Sequence, residues 1–232
     1  MTNLQSAGSS LSLLRDKYHF KLIVSPEDGG QLDRGKKDQT VSSSRDSEER
    51  SRKSHWSEGL LSAMKDPKYV VYSTAQLVII RDKYPKSKHH FLVIPNKPIH
   101  KIENLRPADV CLLEDINEEA SNFVCGKFPE WEFQFGYHAV PSMAQLHLHA
   151  LTRDFHSDCL KHKKHWNSFN TDFFLSPRSV IRQLREDGKV RTPTPEEAKA
   201  LLSAPLKCNQ CPYFPKNIPD LKRHLKVHYE ER

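Results

Sequence analysis

A chain of 232 residues, 37% hydrophobic and 28% charged, has the apolar mass for one medium packed domain with a small appendage. It has too little for a set of membrane spans, since no run approaches the roughly 18 apolar residues that cross a bilayer. The formal net charge of +7 suits a polyanionic partner. Five cysteines, one Cys-x-x-Cys pair with Cys111, Cys125 and Cys159 scattered, favour metal ligation and free thiols over a disulfide framework. With no basic-then-apolar leader at its start, the chain is expected to be soluble and intracellular.

Residues 1–54 divide in two. Residues 11–24 hold enough apolar side chains for a short docked element, whereas 29–53 are Ser, Arg, Lys, Asp and Glu with almost nothing to bury. The extension as a whole is therefore expected to be mostly disordered. Packing should begin at His55-Trp56-Ser57, where Ser57 caps a short helix presenting Leu60, Leu61 and Met64 on one face, and Asp66-Pro67 ends it. Strands follow at 69–72, 76–80 and 90–94. The loop from Arg81 to His90 carries four cations, two histidines and a tyrosine beside strand ends. That composition can hold phosphate, with Lys86 and His90 as candidates.

From 107 to 125, Val110, Leu113, Ile116, Ala120, Phe123 and Val124 fall near one stripe at 3.6-residue spacing, with Glu114, Asp115, Glu118 and Glu119 away from it. This predicts a long helix packed across the sheet, carrying Cys111 and Cys125 as small hydrophobes. A strand at 132–138 and a loop from His138 to Met143 lead to Gln145-Leu146-His147-Leu148-His149-Ala150-Leu151, where polar and apolar residues alternate. Side chains on a strand alternate faces, so Gln145, His147 and His149 should share one surface while Leu146, Leu148 and Ala150 enter the core. A neutral imidazole, with an unperturbed pKa of roughly 6.5, keeps a lone pair at neutral pH, and a hydrogen bond at the far ring nitrogen aims it. His147 is thus a candidate nucleophile toward phosphorus, with His149 and Gln145 as donors to the non-bridging oxygens. The same pair, in a chain with 13 histidines, also suits a transition metal, and periodicity leaves that choice open.

Ser142, a hydroxyl on the turn before the row, fits an oxyanion contact. Beyond it, Lys161, Lys163, Lys164 and His165 run into Trp166, Asn167, Ser168 and Phe169, a combination of cations and rings that fits a nucleic-acid end. Lys161 is either the cation nearest the phosphate or a solvated surface lysine, and Trp166 reads as a core anchor ahead of a stacking platform. Ser176-Pro177 opens a helix that Gly188 closes, and Thr194 with Glu197 forms a capping box for another; together they make a helical bridge at 176–204. In the tail, Cys208-x2-Cys211-x12-His224-x3-His228 has the spacing of a zinc finger, with both histidines on one helical face. So short a segment cannot build a core, and the metal must carry its folding. Glu231 competes with His228 as fourth ligand. Lys222, Arg223 and Lys226 favour DNA, gripped near an end without base readout.

With these residues in view, the chain resembles the histidine-triad nucleotide hydrolases and transferases. Their strand carries three alternating histidines, a serine three residues before the first, and a middle histidine that becomes adenylylated. Ser142, Gln145, His147 and His149 match that spacing, with Gln145 standing where the first histidine usually is; the retained His149 favours a hydrolase. GYHAVPSM before the row, CLKHKKHWNSFNTDFFL after it and the finger are similar to a branch of that superfamily that removes AMP from DNA 5′ ends after abortive ligation. The resemblance covers about His55 to Tyr229. It implies an α+β histidine-triad fold, an antiparallel sheet with packed helices, at 55–175, fused to a zinc-finger DNA-binding domain at 205–232. It places Asp82 on the ribose hydroxyls and Ser142 and His149 around the phosphorus; proximity and resemblance together add His138 there, the other reading being a surface histidine, while the basic run itself offers Lys161 to the phosphate and Lys163 and Lys164 to DNA. It further implies zinc in the finger, no metal at the triad, DNA ends or nicks carrying 5′-AMP as substrate, AMP as product, a monomer, and residence in the nucleus, with the cytoplasm as a second compartment. Two other functions stay open: a general nucleoside phosphoramidate or dinucleoside polyphosphate hydrolase, and a zinc-finger DNA-binding protein without catalysis.

Overall fold

In the computed structural model, which describes residues 59–230, the apolar runs after Lys68 become the centre of a six-stranded antiparallel sheet. Strands β1 (Val70–Ser73), β2 (Leu77–Arg81), β3 (His90–Pro95), β4 (Phe133–His138), β5 (Leu148–Thr152) and β6 (Phe174–Leu175) lie in the order β1-β2-β3-β5-β4-β6. The extension 1–54, the Ser57 cap and Glu231 fall outside the described residues.

β2 and β3 need no polar face because both of their sides are covered. Leu77, Ile79, Phe91 and Val93 pack beneath a long helix, α2 (Val110–Lys127), and Val78, Ile80, Leu92 and Ile94 beneath Leu60 of a short one, α1 (Gly59–Ala63). α2 buries Val110, Leu113, Ile116, Ala120 and Val124, the stripe read from periodicity. Cys111 and Cys125, expected to pack as small hydrophobes, are instead exposed on its outer side.

Four helices follow: α3 (Lys163–Asn170), α4 (Pro177–Asp187), α5 (Pro195–Ser203) and α6 (Ile218–Glu230). Ser176 Oγ accepts from Ser179 N–H at 3.2 Å, Pro177 opens α4, and Gly188 closes it with φ of 71°, a left-handed conformation that suits glycine. The Thr194–Glu197 capping box opens α5. α4 is more than a bridge, because Val180 and Leu184 sit in the core that α2 covers.

The finger is not hung on a tether. Leu151, Phe155, Leu160, Trp166 and Phe169 share one core with Leu206, Cys208, Ile218, Leu221 and Leu225. Trp166, 1% exposed, donates its indole N–H to the Lys207 carbonyl at 3.0 Å, which makes it the core anchor. Asn167 donates to the Leu202 and Ala204 carbonyls, and Arg153 donates to the Asn209 carbonyl at 3.0 Å. Buried amide and indole donors that find carbonyl partners add directional bonds to the shared apolar surface.

Candidate active site and zinc finger

Register assembles the site. His149 on β5 lies between Leu92 of β3 and Gly136 of β4, so the residues two positions along each neighbour, His90 and His138, come to its flanks on the same face. Ring centroids lie 4.4 Å from His149 to His138, 4.9 Å to His147 and 5.2 Å to His90. Phe169 sets its ring edge-on to His149 and His90, and Phe174 closes the His138 side. Gly136 has to be glycine for this wall to form: a Cβ there would lie 2.6 Å from the Phe174 ring.

Backbone groups then settle where the ring protons sit. The Gln145 carbonyl can only accept, so His147 Nδ1, 2.9 Å away, carries the proton and Nε2 keeps its lone pair. Lys86 N–H donates to His90 Nδ1 at 3.1 Å, which puts the His90 proton on Nε2, 3.0 Å from His149 Nδ1. His149 in turn carries its proton on Nε2, a buried atom with no protein partner. His138 Nε2 is buried and unpartnered too. Burial lowers the pKa of all four imidazoles, His90 to about 4, His138 to about 3 and His149 well below its ordinary value, with mutual repulsion between the rings adding to the effect in His90, His138 and His149. At neutral pH the face therefore offers the lone pair of His147 beside a fixed N–H donor on His149.

Asp82, His90 and His149 bring one ligand atom each within 4.8 Å of one another, which also suits a metal. Ligation through His90 Nε2 requires the proton to move to Nδ1, where the Lys86 N–H already points. Hydrogen bonding is the better use of this trio. In the finger, Cys208 Sγ lies 3.5 Å from His228 Nε2, Cys211 Sγ 3.1 Å from His224 Nε2, and the two histidine nitrogens are 3.2 Å apart. A tetrahedral zinc with bonds of about 2.0–2.3 Å needs ligand separations of about 3.3–3.8 Å. Cys208 and His228 fall inside that range, and the Cys211–His224 and His224–His228 separations lie 0.1–0.2 Å short of it, so the four side chains converge on one point and need open only slightly to hold the ion.

Residues 55–165 match the family model described as scavenger mRNA decapping enzyme C-term binding, and 170–231 match the C2HE / C2H2 / C2HC zinc-binding finger. Aprataxin of Danio rerio is 46% identical over 176 residues, covering 75% of this chain and 54% of its own length. The Aprataxin-like protein of Saccharomyces cerevisiae is 33% identical over 69% of this chain and 87% of its own. The chain belongs to the aprataxin family. A solved structure of Hnt3 in complex with DNA and guanosine superposes with a TM-score of 0.58 at 25% identity, over 75% of this chain and 95% of that one. The chain spans about half the length of the Danio aprataxin.

Set on this aprataxin-family frame, the residues singled out from the sequence sort clearly. His147, His149 and His138 come together as described. Asp82 leaves β2 half-buried, its carboxylate accepting Tyr84 N–H at 2.7 Å with its second oxygen 3.5 Å from His90 Nε2. Ser142 is exposed on the loop before His147, and Lys161, Lys163 and Lys164 are exposed at the start of α3. Lys86 is half-buried, donates to the Tyr84 carbonyl, and has its pKa lowered chiefly by burial, with Asp82 and Cys159 opposing. Arg223 and Lys226 are exposed on α6.

Three expectations need correction. Gln145 does not join the histidine row, because its φ of 78° turns the chain out of the extended form. Its amide donates to the Pro95 and Lys97 carbonyls at 2.8 and 2.9 Å and accepts Ile99 N–H at 3.2 Å, so neither N–H remains for phosphate. His90 is no direct phosphate ligand either, since it is buried behind His149 with both nitrogens engaged. Lys222 bends back to donate to the Ser157 carbonyl at 2.7 Å, tying the finger to the sheet domain. Phe174 and Gly136 had no role in the sequence analysis, and Phe169, grouped there with the rings suited to a nucleic-acid end, stands against His149 and His90: nothing in a single chain marks which aromatic walls a site and which fills a core.

Proposed function

We propose that this aprataxin-family chain removes AMP from adenylated 5′ ends of DNA through a covalent adenylyl-histidine. The observation that carries the reading is the pair of fixed tautomers: His147 with a free Nε2 lone pair, and beside it His149 with an unpartnered Nε2–H. In the first step Nε2 of His147 attacks the α-phosphorus of the adenylate, a P–N bond forms, and the P–O bond to the DNA breaks with its electron pair leaving on the 5′-phosphate. In the second, water adds to the same phosphorus, the P–N bond breaks to restore the neutral ring, and AMP departs with the surplus proton passing to solvent. His149, Ser142, His138, Lys86 and Lys161 stabilise charge on the phosphoryl oxygens, and Asp82 accepts from the ribose hydroxyls. Lys163, Lys164, Arg223 and Lys226 hold the duplex phosphates. Support comes from the aprataxin relatives and from Hnt3, solved with DNA and guanosine. We propose the nucleus as the chain's main compartment, with the cytoplasm second, because that is where most such ends arise.

The test is to mix the protein with 5′-adenylated nicked duplex, quench early, and map the adenylylated residue by mass spectrometry. The adduct belongs on His147, and His147→Ala should release no AMP while still binding DNA. Equal turnover on a free dinucleoside polyphosphate would favour a general nucleotide hydrolase, and DNA binding without any adduct would favour a non-catalytic DNA-binding protein.

A further inference from the structure

The finger has little apolar surface to spare, yet it leaves one aromatic ring outside. Phe214 is 64% exposed, with Tyr213 at 39% and Val227 at 52%. The loop that carries Phe214 is braced on both sides. Cys208 N–H donates to the Tyr213 carbonyl at 2.9 Å, and the Tyr213 ring stacks on the zinc-ligand ring of His224 at 4.1 Å and 24°. Tyr213 OH donates to Asp220 at 3.1 Å, Pro215 is buried, and Lys216 N–H donates to the same Asp220 oxygen at 2.9 Å. Tyr213, Pro215 and Lys216 are tied inward, so the backbone that carries the outward Phe214 ring is held in place and loses little freedom on binding. Lys216 next to this loop and Arg223 and Lys226 on α6 are exposed, Arg223 paired with Asp220 at 3.1 Å. Such a surround repels a basic partner and attracts a polyanion. An exposed aromatic ring on a braced loop of a basic finger suits the π-face of a nucleobase.

We infer that Phe214 is a base-contacting residue of the finger, its ring packing against a nucleobase so that the finger holds DNA through stacking as well as through phosphate contacts. The inference rests on the DNA reading above. It adds a stacking contact to the grip without base readout expected from the sequence.

The experiment measures binding of the full-length, zinc-loaded protein to a fluorescein-labelled nicked duplex at several salt concentrations. Zinc content and thermal midpoint serve as folding controls, which an exposed side chain should leave unchanged. Phe214→Ala should weaken binding by about 5- to 150-fold, the effect of losing one base–aromatic stack, without changing the slope of log K against log salt, which counts phosphate contacts. Phe214→Trp should restore the affinity, whereas Arg223→Ala should make the slope shallower. With 2-aminopurine walked along both strands, one position should respond to the wild type and not to Phe214→Ala. Wild-type affinity in Phe214→Ala at every salt, or a loss that comes with a shallower slope, overturns the inference. If the wild type itself fails to bind, the DNA reading falls as well; if it binds and Phe214→Ala matches it, only the role of Phe214 falls.

Discussion

Packing four neutral imidazoles against one another should make this fold sensitive to mild acid. His90 and His138 have pKa values near 4 and 3 in the folded chain, against about 6.5 when unfolded. A depressed folded pKa means that the unfolded state binds more protons between the two values. Stability is therefore complete above about pH 6.5 and falls as pH drops toward 4. At pH 5 the linkage relation takes about 2 kcal/mol for His90 and a similar amount for His138, so the pair costs about 2–4 kcal/mol once their mutual repulsion is allowed for. Against a typical total of 5–15 kcal/mol this is large. Urea midpoints followed by tryptophan fluorescence at pH 7 and pH 5 measure it. The zinc ligands also take up protons on the way down, so the informative quantity is the difference between wild type and His90→Asn, which lacks one titrating ring. If both proteins lose the same stability between the two pH values, His90 is not held neutral by burial and the tautomer argument fails with it.

Other perturbations follow from the same geometry. Gly136→Ala drives a methyl group to within 2.6–2.8 Å of the Phe174 ring; overpacking of that kind costs about 1–3 kcal/mol. Because the displaced ring walls the histidines, kcat should fall more than KM rises, and an unchanged kcat at a lowered thermal midpoint would show that the wall is only structural. Gln145→Ala strips partners from the Pro95 and Lys97 carbonyls and the Ile99 N–H at about 1–3 kcal/mol per buried group. It should register first in the thermal midpoint; a wild-type midpoint with slowed turnover would instead restore Gln145 to the phosphate. Chelating the zinc should do more than melt the finger, since Leu206, Leu221 and Leu225 share a core with Trp166 and Phe169. Hydrogen exchange should speed up across α3 as well as α6, and acceleration confined to 205–230 would contradict that coupling.

Much of this was written locally. The stripe on α2, the Ser176 and Thr194 caps and the Cys208–Cys211–His224–His228 spacing each depend on residues within a few turns of one another, and periods of two and 3.6 expose such features. The alternation around His147 announced a functional strand, but it presumed an extended backbone. One residue at positive φ took Gln145 out of the row. His90 and His138 joined the site through pairing of β3 and β4 with β5; the β3 contact reaches across more than fifty residues, and neither register can be read from a local pattern. Lys222 looked like its cationic neighbours until Ser157 came within reach.

The amino-acid order alone determined the kinds of chemistry available: an imidazole able to attack phosphorus, a four-ligand metal knot, and an excess of positive charge. Only tertiary structure decided which nitrogen carries each proton, that His90 lies buried behind His149, and that finger and sheet share one core. Proton placement and burial depend on partners brought close by strand register and helix packing, and those distances arise only when the chain folds.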